Sequence, residues 1–190
     1  MIKRIFFTFI VLQIFFIGPC YASSDRLADI GAELFKERIV EDIPFEVTDF
    51  KIANEASVAR EQPHMACDSK YEFMAVQNQN VMLMIDVYVN REGYIDSIII
   101  CGPSVEKRNS KFLTLVLAES MKAIGLNMDE IMWLCSKGSI SGNTYEGSVF
   151  STGMGRTVYY SMSLTSDGFG INRIDRMSLT DRFTRSMLAN

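Results

Sequence analysis

Residues 81–101, VMLMIDVYVNREGYIDSIIIC, decide the fold. Val81, Leu83, Ile85, Val87 and Val89 form one alternating apolar stripe, while Met82, Met84, Asp86 and Tyr88 form a mixed one. Alternation at period two predicts a strand, and an apolar stripe backed by a half-apolar one places it inside a sheet. The Asn90–Gly93 segment reads as a turn, and Tyr94–Cys101 as the antiparallel partner. The run KFLTLVLAESMKAIG (111–125) then changes to helical period, with Leu113, Val116, Leu117, Met121 and Ile124 on one face and Gly125 as its stop. Strand, turn, strand and a helix packed back on them form the unit around which the chain is arranged.

Working outward, Tyr71–Gln77 supplies a first strand, so that 71–101 is a three-stranded meander. Asn127 with Glu130 three residues later is a capping-box start to a second helix, whose side carries Met128, Ile131, Met132 and Cys135 and which Gly138 ends. Strands return at Tyr145–Ser151, Thr157–Leu164 and Phe169–Met177. A spacing of 75 residues superposes Val87 on Met162, Val89 on Leu164, Gly93 on Gly168 and Tyr94 on Phe169. This suggests meander–helix repeats over about 71–126 and 145–190, the second closing with a helix from Thr180 to Leu188. Upstream, Leu27, Ile30, Leu34, Phe35 and Ile39 predict a helix beginning at Ser24 or Asp25 and stopped before Pro44. Phe45, Val47, Phe50 and Ile52 read as a short strand whose alternation slips once, and 54–69 as mostly loop. The expected fold class is α+β: a two-layer domain whose antiparallel sheet is built from two three-stranded meanders with helices on one face. Leu83, Ile85, Val87, Ile98, Ile100, Leu113, Val116, Leu117 and Ile131 should be buried together.

The beginning of the chain bears on compartment. Lys3 and Arg4 precede the apolar run Ile5–Ile17, and Gly18–Pro19 and a small residue, Ala22, follow. That order predicts a secretory signal peptide over 1–22, leaving one domain over 23–190 exported to a bacterial periplasm or the exterior. A rival reading lipidates Cys20, although Pro19 stands where a small flexible residue belongs. Without the leader the chain has 17 basic and 23 acidic side chains, a formal charge of −6. Such a balance argues against nucleic acid as a partner. No later apolar run approaches transmembrane length.

Candidate sites are sparse. Cys67, Cys101 and Cys135 follow the leader, and an oxidising compartment favours one disulfide among them. In a meander Cys67 and Cys101 lie at opposite ends, roughly 20 Å apart. The helices carry Cys135 back toward Cys101, so Cys101–Cys135 is the expected bond, with Cys67 unpaired in its loop. His64 is the only histidine, and the zinc spacings are missing. Met82 and Met84 share a strand face and could hold Cu(I), but core filling is the ordinary use of Met. The Gly153–Arg156 segment joins two strands, so it is a hairpin turn rather than a phosphate cradle. No metal and no cofactor are expected. Glu37, Glu41, Asp42, Glu46 and Asp49 form an acidic group suited to a basic protein partner.

The sequence therefore points to an exported, non-catalytic binding module of the accessory, inhibitor or immunity type, acting through protein–protein contact. The alternative is a small secreted hydrolase whose site is assembled from Asp, Glu, Ser and Tyr without a local motif.

Overall fold

A computed structural model describes residues 26–53, 67–77, 80–103, 107–166 and 169–176, together with 178, 180, 181, 184 and 187. The described elements are three helices, α1 (Ala32–Asp42), α2 (Lys107–Ala123) and α3 (Met128–Ser136), and nine strands. The strands are β1 (Glu46–Val47), β2 (Lys51–Ala53), β3 (Cys67–Gln77), β4 (Asn80–Asn90), β5 (Ile95–Pro103), β6 (Ser139–Ser141), β7 (Thr144–Ser151), β8 (Arg156–Leu164) and β9 (Phe169–Asp175). All strand pairs are antiparallel, in the open order β1-β3-β4-β5-β9-β8-β7-β6, with β2 also on β3. This is the α+β domain the sequence predicts.

The register explains the two layers. Phe73, Ile85, Ile100, Asn172, Met162 and Tyr145 lie opposite one another across six strands, and Tyr71, Val87, Ile98, Ile174, Tyr160 and Gly147 form the next row. These rows face the helices. All nine residues expected to be buried together belong to one core with Phe35, Ile39, Leu134, Val158 and Ile174. Gly147 carries no side chain at a core-facing position, and α3 comes down onto β7 there: a Cβ on Gly147 would stand 2.6 Å from the Leu134 carbonyl oxygen. The Asn127–Glu130 capping box is formed, with 3.0 Å hydrogen bonds in both directions.

Several details depart from the sequence reading. The first helix starts at Ala32 rather than at Ser24 or Asp25. The Leu27 and Ala28 amides donate to the Ile95 carbonyl, and the Ile95 amide donates to Ile30, so this segment is held by the start of β5 instead of winding into a helix. The slipped strand at 45–52 is two strands, β1 and β2. Between them the Thr48 hydroxyl accepts from the Met74 amide at 3.0 Å, a side chain replacing a ladder bond. β3 begins at Cys67, inside the segment expected to be loop, and β6 adds an edge strand that Gly138 and its polar neighbours concealed. Gly142 and Gly155, at φ 58° and 66°, turn the β6–β7 and β7–β8 hairpins. The two sets β3-β4-β5 and β7-β8-β9 meet through β5 and β9, but a duplication is not established by that placement. The helix expected at 180–188 lies mostly outside the described residues, as do the leader and the turns at 78–79 and 167–168.

Candidate functional site

A cavity of about 540 Å³ opens between α2, α3 and the strands β7, β8 and β9. Leu113, Leu117, Ile131 and Met132 form its helical walls, and Tyr145, Tyr160, Met162 and Asn172 its sheet floor. Its origin lies in the rows above: β7 and β8 present aromatic and polar side chains where β4 and β5 present aliphatic ones. α1 and α2 cover the aliphatic strands, α3 is seated on β7, and a groove remains between α2 and α3. The size is that of small-ligand and side-chain pockets.

The floor is held rigidly. The Tyr160 hydroxyl donates to Asn172 Oδ1 at 2.9 Å, and Asn172 Nδ2 donates to the Ile100 carbonyl at 3.3 Å. The Tyr145 hydroxyl donates to the Leu134 carbonyl at 2.6 Å and accepts from the Gly138 amide at 2.8 Å, which ties α3 to β7. Burial, with Cys135 and Tyr145 nearby, pushes the Tyr160 phenol well above its ordinary value, so it remains a neutral donor. No charged side chain lines the groove. At its mouth Met132 is 63% exposed, and Met128, one turn earlier on α3, and Trp133 are 60% and 53% exposed. Leu113, Leu117, Ile131, Met132 and Cys135 were legible as helix stripes. Tyr145, Tyr160, Met162 and Asn172 come from strands, and only the register assembles them.

The opposite face of the sheet carries charge. Lys70, Tyr88, Ser97 and Asp175 form one lateral row, and Glu72, Asp86, Ile99 and Arg173 the next. Lys70 Nζ lies 3.7 Å from Asp86 and 3.8 Å from Glu72, and Arg173 Nε lies 3.3 Å from Asp175. At the end of this face a bulge sets Asp96 outside the β4–β5 ladder. There it accepts from Arg176 Nε at 2.5 Å and from the Cys67 thiol at 3.3 Å. Burial lowers the Arg173 pKa, with Asp175 opposing that shift. Asp86, Asp96 and Asp175 are single carboxylates within apolar strands, a signal visible in the sequence whose pairing is not.

The Cys101–Cys135 disulfide is absent, and Cys67, Cys101 and Cys135 are all free. Cys101 lies in the row Met84–Cys101–Ile171, on the face away from the helices, whereas Cys135 on α3 lines the groove. The sheet stands between them: distance along the strand brings them to one end, but side-chain alternation puts them on opposite sides. Cys67 opens β3 and is buried rather than sitting in a loop. Burial foremost raises all three thiol pKa values, Cys101 to about 11, which opposes thiolate nucleophilicity. In the acidic group, Asp42 pairs with Lys122 at 2.7 Å and Asp49 with Lys36 at 3.9 Å. Glu37, Glu41 and Glu46 are exposed. The group sits on α1, β1 and the β1–β2 connection, none of which lines the groove. Gly153–Arg156 is a hairpin turn, closed by the Gly155 amide donating to Ser151. His64 lies outside the described residues. Among the described residues no cluster of His, Cys, Asp and Glu could hold a metal ion, and no helix is long and apolar enough to cross a membrane. No protein-family model matches the chain, and neither a curated protein nor a solved structure matches it.

Proposed function

We propose that this chain is an exported, non-catalytic binding module that acts by protein–protein contact and takes an apolar segment of its partner into the groove between α2, α3 and β7–β9. The observation that carries the reading is the groove itself. It is a concave apolar surface with a fixed polar floor, with the exposed Met132 at its rim and Met128 one turn earlier on the same side of α3. Methionine is enriched where protein partners meet, and an exposed pair beside an apolar groove fits such a surface. Export rests on the order of residues 1–22, and a mature amino terminus at Ser23, read by mass spectrometry, tests it. The acidic residues Glu37, Glu41 and Glu46 offer a second contact for a basic partner, which salt would weaken.

The test is capture from periplasmic extract with the full chain. A stoichiometric protein partner is expected, retained by a Glu41→Gln variant and lost in Met132→Asp. A partner held equally by both variants would remove the groove from the reading.

The buried charged rows on the opposite face support a second reading, the motif-free hydrolase, because buried ionisable groups cluster at active sites. Each buried acid there has a cation beside it, which favours a structural role. Turnover in a hydrolase screen that Asp86→Asn abolishes would reverse that preference.

A further inference from the structure

The strand register brings together three sulfur donors that are far apart in sequence. Met74 on β3 lies opposite Met84 on β4, and Met84 lies opposite Cys101 on β5. Residues directly opposite in a sheet project from the same face, so the three side chains stand side by side on the face away from α1, α2 and α3. We propose that Met74, Met84 and Cys101 form a binding site for a soft monovalent metal ion, Cu(I) or its analogue Ag(I).

Ordinary core filling does not account for these methionines. Met121 is part of the core, and Met82, Met154 and Met162 pack against it, whereas Met74 and Met84 belong to neither group. Both are half-buried, and the next residue in the row, Ile171, is 39% exposed, so an ion can reach the row from solvent. Adjacent strands stand about 4.8 Å apart, which puts Met74 and Cys101 about 10 Å apart with Met84 between them. Methionine has three rotatable bonds, so both thioethers can lean toward a thiolate whose own side chain is short. Thioether and thiolate together are the ligand set that selects Cu(I) over harder ions. Of the neighbouring charged groups, Asp86 and Glu72 lie in the adjacent row and Lys70 in the row beyond, 3.7 Å and 3.8 Å from them, so both carboxylates are turned to a cation while the row itself offers sulfur. On binding, the Cys101 S–H bond breaks, its proton passes to solvent, and a sulfur–metal bond forms with no change in oxidation state.

The experiment uses the purified protein under anaerobic conditions, with Cu(I) supplied in competition with a colorimetric chelator and with Ag(I) titrated against methionine ε-methyl NMR signals. One equivalent should bind with release of one proton, and the Met74 and Met84 methyl signals should shift while those of Met128 and Met132 stay in place. Cys101→Ser should lose binding. Met84→Leu, a near volume-conserving change that leaves the fold intact, should weaken it by at least about tenfold, as loss of a direct ligand costs no less than loss of an outer-shell contact. Cys135→Ser should bind as the parent does. Binding that survives Cys101→Ser, that disappears with Cys135→Ser, or that leaves the Met74 and Met84 signals unmoved would overturn the proposal.

Discussion

Replacing Leu117 with alanine tests how α2 is seated. Leu117 is 8% exposed and has two neighbourhoods: the core shared with Leu113 and Ile131, and the groove that it also lines. The substitution removes three carbon atoms, a transfer loss of about 2.4 kcal/mol at about 0.8 kcal/mol per carbon. In a sealed core a cavity term would be added, and Leu→Ala changes reach about 5 kcal/mol for that reason. Here the vacated volume joins a groove that already opens to water, so little sealed void remains. The expected cost is therefore about 2–3 kcal/mol, in the lower part of the usual range. It should be read from urea unfolding as a shifted midpoint with an unchanged slope, and as a fall of about 5–10 °C in Tm for a domain of this size. A loss below about 1 kcal/mol would make α2 peripheral and refute the two-layer packing. A loss above about 4 kcal/mol would refute the open groove, because only a sealed site carries the full cavity term.

Gly147→Ala should push α3 off β7, since the new methyl would meet the Leu134 carbonyl. Overpacking of this kind costs about 1–3 kcal/mol, and the Tyr145–Leu134 hydrogen bond should lengthen, which a crystal structure of the variant would reveal. The Cys101 thiol has a definite sign of pH dependence. Burial and the Asp86 carboxylate raise its pKa to about 11, and Lys70 opposes them. Its neutral form is thus favoured by folding, so the contribution is fully present below the unfolded thiol's pKa and is lost as pH rises toward 11. In a Cys135→Ser background, alkylation of Cys101 in the native protein should keep accelerating above pH 9. A rate that levels off near pH 9 would contradict the buried placement.

The sequence alone determined the local structure wherever one short-range signal faced no competitor. Alternation and a Gly93 turn at φ 85° were enough for the hairpin 81–101, because strand pleating and turn stereochemistry are local. The Asn127–Glu130 box announced the start of α3 for the same reason. The buried set from Leu83 to Ile131 followed from period alone. Tertiary structure decided whatever depended on which strands lie side by side. The 26–31 segment had a helical pattern, yet its amides went to the edge of β5, a partner outside any local window. The disulfide failed because position along a strand was considered without the face to which the side chain points. The groove joins Leu117 to Tyr160 and Asn172, and the sulfur row joins Met74 to Cys101, only once the sheet order β3-β4-β5-β9-β8-β7 is set. Register fixes lateral neighbours across strands, and no spacing within one strand contains that information.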